Sequence, residues 1–94
     1  MSDIDDGAPL PAKLRFAIAN KRLIGVEYLG RLRIAEPHDF GAMSGTSKVL
    51  VYQLYADGAA SGAAHGWRLL DLSKIGVCRV LDETFAGSGA SSSM

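Results

Sequence analysis

Apolar positions recur at helical spacing only near the start of the chain. From Ala12 to Arg22 the residues are good helix formers. Leu14, Ala17 and Ile18 share one face, while Lys13 and Asn20 fall elsewhere. Pro11 suits the first turn, where its missing N–H is not needed. The pattern predicts one amphipathic helix of about ten residues, too short to stand alone. After it, apolar and polar positions follow strand rules. Leu23–Leu29 and Leu32–Glu36 are β-rich, and Gly30-Arg31 between them is the expected hairpin turn. Pro37 cannot donate to a ladder, so it marks a strand end or an edge. Residues 41–46 read as a loop. Lys48–Tyr55 is the strongest strand and is apolar on both faces, which predicts a central place or pairing with another subunit. Residues 57–66 are a small-residue loop, Gly66–Leu70 a short strand, Asp71–Lys74 a tight turn and Ile75–Leu81 the last strand. Five short antiparallel strands that must hide their edges predict a mostly β fold, a small and partly open five-stranded barrel with one N-terminal helix laid against it.

The ends differ from this body. Residues 1–9 are acidic and punctuated by Gly and Pro, and residues 86–94 are Gly- and Ser-rich, so both are expected to be disordered around a folded unit at 10–85. The 94-residue length and a hydrophobic fraction of 48% fit a single domain with a modest core. Ten basic and ten acidic side chains cancel overall. All ten basic residues lie within 11–81, however, with only five acids, so the body carries +5. The other acids sit at Asp3, Asp5 and Asp6 and at Asp82 and Glu83. A cationic body suits an anionic partner, and it equally suits a solvated surface. One cysteine cannot form an internal disulfide, which argues for a reducing, cytoplasmic setting. No apolar run spans a bilayer, and the first residues do not form a signal peptide.

Catalytic chemistry finds little support. Cys78 with His38 or His65 lacks an orienting acid at telling spacing, and Cys78 lies mid-strand beside Val77 and Val80 as an apolar filler. Two histidines and one cysteine without short spacing make a poor metal set. No Gly-Lys-Ser/Thr follows Gly58 or Gly62, so no phosphate loop is present. The expectation is a protein that is not an enzyme and uses no cofactor or metal. Arg33, Arg68 and Lys74 beside Tyr28, Tyr52, Trp67 and His38 are more informative. Guanidinium groups grip phosphate in bidentate fashion and flat rings stack on bases. The plainer alternative makes the rings core aromatics with their polar tips at the rim.

Four segments in series resemble the WYL domain family. Residues 17–28 look like its opening, a short helix ending at a basic residue and leading into a strand that closes on Tyr28. Arg33-Ile34-Ala35-Glu36-Pro37-His38 resembles its Arg-x-x-x-Pro strand. Leu50-Val51-Tyr52-Gln53 resembles the third segment, and Gly66–Ile75 resembles the ending. The resemblance covers about 12–83. Lys48-Val49-Leu50 stands where the naming triplet belongs. Asp71 replaces a basic residue, and Ser73-Lys74 replaces an Asp-Arg pair. The resemblance implies an SH3-like (Sm-like) five-stranded β-barrel with an N-terminal helix. It implies a regulatory module, of bacterial transcription control or phage defence, that binds a nucleotide or single-stranded nucleic acid. Carried over by position, Tyr28, Arg33, His38, Tyr52, Arg68 and Lys74 are the ligand-binding candidates. The few residues before the helix leave no room for a helix-turn-helix, so duplex reading is expected of a separate DNA-binding partner. The competing expectation is an interaction protein that forms a homo-oligomer or docks a partner through strand 48–55.

Overall fold

The computed structural model describes residues 7–58 and 65–86. Most of the expected loose ends, and the middle of the 57–66 loop, lie outside the described residues. Helix α1 runs Leu10–Ala19, with Pro11 in its first turn and Leu14 and Ala17 buried. It ends before the expected Arg22. Asn20 closes it by donating from its side chain to the Phe16 carbonyl at 2.9 Å, and Lys21 turns to φ 53°. Arg22 then opens the first strand.

Five strands follow: β1 (Arg22–Tyr28), β2 (Arg31–Met43), β3 (Thr46–Ala56), β4 (Gly66–Asp71) and β5 (Ile75–Thr84). They form one antiparallel sheet in the order β4-β3-β2-β1-β5. The first hairpin turns at Leu29-Gly30, one residue earlier than expected, because Tyr28 pairs with Arg31. Both turn residues have positive φ, 52° and 81°, the mirror-image turn whose twist matches its strands. The expected 41–46 loop is instead a second hairpin of the same kind. Met43 pairs with Thr46, and Ser44 and Gly45 take φ 56° and 80°.

Strand β2 is therefore one long element through Pro37. Its pairing with β1 stops at Ala35. On the β3 side the register shifts between Pro37 and Asp39, leaving His38 as the extra residue of a bulge. Proline sits where β2 is a local edge and next to a bulge, the two strand positions that do not need its N–H.

Strands β4 and β5 lie at opposite edges of the sheet, yet only a 3-10 turn, Leu72–Lys74, joins them. The sheet must curl to bring its edges together at that end. No ladder closes β4 onto β5 among the described residues, so the sheet is open where a barrel was expected. Two side-chain hydrogen bonds lie at this open end, and the first of them crosses the gap. The Tyr28 hydroxyl accepts from the Asp71 amide at 3.0 Å. Lys13 Nζ donates to the Cys78 carbonyl at 2.8 Å and so occupies an acceptor on β5. The inward face carries Ile24, Val26, Val49 and Val51, all fully buried, and receives Leu14 and Ala17 from α1. Helix α1 thus supplies the burial that its length alone cannot. No helix among the described residues is long and apolar enough to cross a membrane.

Candidate anion-binding site

Residues opposite one another in a ladder share a face of the sheet. Val26 pairs with Arg33, Ala35 with Gln53 and Val51 with Arg68. Arg33, Gln53 and Arg68 therefore lie on the inward face with the core. Arg33 extends over the Tyr28 ring, its guanidinium carbon 5.3 Å from the ring centre. Its Nη1 donates to Gln53 Oε1 at 3.0 Å. Its Nε is buried with no hydrogen-bond partner.

Arg68 approaches the same place from β4. Two residues earlier on the same strand lies Gly66, which pairs with Gln53. A Cβ at Gly66 would lie 2.8 Å from Arg68 Nη1, and Gly66 has φ 146°. A glycine here clears the space into which the guanidinium folds. Nη1 also donates to the Trp67 carbonyl at 3.0 Å. The buried amide of Gln53, 2% exposed, thus receives Arg33 and lies opposite the glycine against which Arg68 folds. Fixed N–H donors of this kind match the paired oxygens of a phosphate or carboxylate.

The other candidates lie apart. Tyr52 pairs with Glu36 and with Trp67, so these three form a row on the outward face. Tyr52 and Trp67 meet edge-on at 5.3 Å between ring centres. His38, projected by the bulge, lies 5.0 Å from Trp67 and 5.1 Å from Phe85, with Nε2 3.2 Å from Glu36 Oε1. Trp67 is 46% exposed. Tyr52, Trp67 and His38 are thus on the opposite face from the guanidinium groups, and of the candidate rings only Tyr28 shares the inward face with them. Lys74 is exposed in the 3-10 turn.

Asp71, where the resemblance calls for a base, is occupied structurally. Its carboxylate accepts from the Ser73 hydroxyl at 2.8 Å and the Ser73 amide at 3.0 Å. These bonds, the hydroxyl first, hold its carboxyl below the usual range against some desolvation, with Lys48 and Lys74 adding attraction. Lys48 Nζ lies 3.7 Å away. The acid is thus used to close the turn.

Gln53 and Gly66 were missed by the sequence reading. Gln53 had a signal: it is the polar member of the inward series Val49, Val51, Gln53. Gly66 had none, because its role depends on how Arg68 folds back. Among the described residues no three His, Cys, Asp or Glu side chains are grouped to hold a metal ion. No family model, curated protein or solved structure matches this chain.

Proposed function

We propose that the chain is a small ligand-binding module of the WYL-like, SH3-like barrel kind, gripping the phosphate of a nucleotide or single-stranded nucleic acid between Arg33 and Arg68. The carrying observation is the buried, unpartnered Arg33 Nε on the face to which Arg68 folds. A buried donor left unsatisfied costs about 1–3 kcal/mol, and an anion oxygen removes that cost. Gln53 and the Tyr28 ring hold the Arg33 guanidinium in place beforehand. The curl that brings β4 and β5 to one end supports the barrel-like reading. Trp67, beside Arg68 on the edge strand, offers a base an exposed ring around the rim. A regulatory role follows from the same resemblance.

Fluorescence anisotropy with a labelled single-stranded oligothymidine at low salt tests the reading. Binding is expected, weakening as salt rises. Arg68→Ala should cost about 1–3 kcal/mol of affinity, the scale of a charge-assisted hydrogen bond. Arg79→Ala, on the outward face, should cost much less. No binding up to millimolar protein, or equal losses from both variants, removes the site.

A further inference from the structure

Helix α1 covers the inward face of the sheet and leaves the outward face of β2, β1 and β5 bare. Its rows follow from the ladder. Leu32, Glu27 and Val77 form one row, and Ile34, Gly25 and Arg79 form the next. Leu81 follows beside Gly25, its Cδ2 3.8 Å from where a Cβ would stand, with Ile34 Cδ1 on the other side at 3.4 Å. Gly25 thus floors a groove of about 530 Å³ between apolar walls. Leu32 is 48% exposed and Val77 52% exposed, although both are strand residues of a small sheet. Contiguous apolar surface of this kind marks an interaction face.

The charges in the groove say what covers it. Glu27 and Arg79 sit on a diagonal across Gly25 and Val77, and neither has an ion-pair partner among the described residues. One unpaired acid and one unpaired base flank the centre of the groove, with a second acid, Asp57, at its Leu32 end, and the central pair makes the surface self-complementary. A two-fold axis lying in the interface plane can bring Glu27 over the second copy's Arg79 and, reciprocally, Arg79 over its Glu27. On the ladder grid the same axis brings Leu32 over the second copy's Leu81. It leaves Val77 and Gly25 close to the axis, facing their own equivalents. Apolar groups meet apolar groups, charges meet opposite charges, and the strands of the two sheets cross steeply, as in orthogonal sheet packing.

We propose that this chain forms a two-fold homodimer through the outward face of β1, β2 and β5, registered by reciprocal Glu27–Arg79 pairs around Gly25. This surface differs from strand 48–55, where the hydropathy pattern alone had put self-association. It is also independent of the anion site, which lies on the other face.

Charge reversal tests it, with sedimentation velocity as the readout. The wild-type chain should sediment at about twice its 9.9 kDa mass. Glu27→Arg alone, or Arg79→Glu alone, sets like charges against each other and should weaken dimerisation at least tenfold. Mixing the two single variants should restore a one-to-one dimer, because each reversed side chain then meets its opposite. The double variant should dimerise by itself for the same reason. Both positions are exposed, and circular dichroism checks that the variants fold; Val77→Asp gives a second route to the monomer should either fail. A monomeric wild type overturns the proposal, as does a dimer indifferent to single reversal or a mixture that stays monomeric. A mixed dimer is an outcome that an unrelated partner or the 48–55 face does not produce.

Discussion

At the scale of single residues, burial decides the behaviour of Cys78. It is 4% exposed, on β5 opposite Val26. Desolvation raises its thiol from 9.0 to about 11, with the Lys13 ammonium opposing the rise. A thiol in the unfolded chain ionises first. The folded state is therefore favoured fully below pH 9, and this contribution is lost as pH climbs through 11. Urea unfolding of the wild type should show about 2–3 kcal/mol of stability lost across that window. In Cys78→Ala that part of the slope should vanish, although the variant starts less stable. An identical alkaline slope in both proteins would mean that the thiol is hydrated in the folded state. Its neighbours Val77 and Val80 made Cys78 legible as a filler. Arg33, by contrast, gave no hint that its guanidinium would be half enclosed. That enclosure depends on Tyr28 and Gln53, which are distant in sequence.

At the scale of elements, the curl of the sheet hangs on a few cross-links at its open end. The Tyr28 hydroxyl joins β1 to the start of the 3-10 turn through the Asp71 amide. Tyr28→Phe removes the acceptor and strands a partly buried N–H. The expected loss is about 1–2 kcal/mol, read as a lower urea midpoint at unchanged slope. The ring survives the change, so Arg33 keeps its face to lie on, and oligothymidine affinity should change less than twofold. A large loss of affinity with intact stability would instead make the hydroxyl a ligand contact. Helix and strand identities were legible because helical and alternating periods differ sharply in this chain. Their ends were less so. Leu29 adopts φ 52°, a conformation that disfavours leucine, because Tyr28 must pair with Arg31. A local propensity reading moves that turn onto Gly30-Arg31. The second hairpin was hidden in the same way, since Ser44-Gly45 is a turn pair only if Met43 and Thr46 meet.

At the scale of the whole molecule, one thin sheet presents two faces with different chemistry. Register puts Arg33, Gln53 and Arg68 inward and Glu27, Arg79 and Val77 outward. Sequence order interleaves these residues, so the +5 body looked like a single cationic surface. Only the parity of the strands, broken at the Ile34/Ala35 and Pro37/Asp39 shifts, separates them. The separation carries a thermodynamic consequence. Groups on opposite faces with no shared partners contribute additively, within about 0.5 kcal/mol. Arg68→Ala should therefore lower oligothymidine affinity and leave the dimer constant untouched. Val77→Gln, which is neutral and exposed, should weaken the dimer and leave that affinity untouched. The double variant, followed by anisotropy and sedimentation together, should show the sum of the two effects. A dimer constant that shifts when oligothymidine is added would put ligand and second copy on linked surfaces. Strand β2, which carries Arg33 inward and Leu32 and Ile34 outward, is then the element the two faces share.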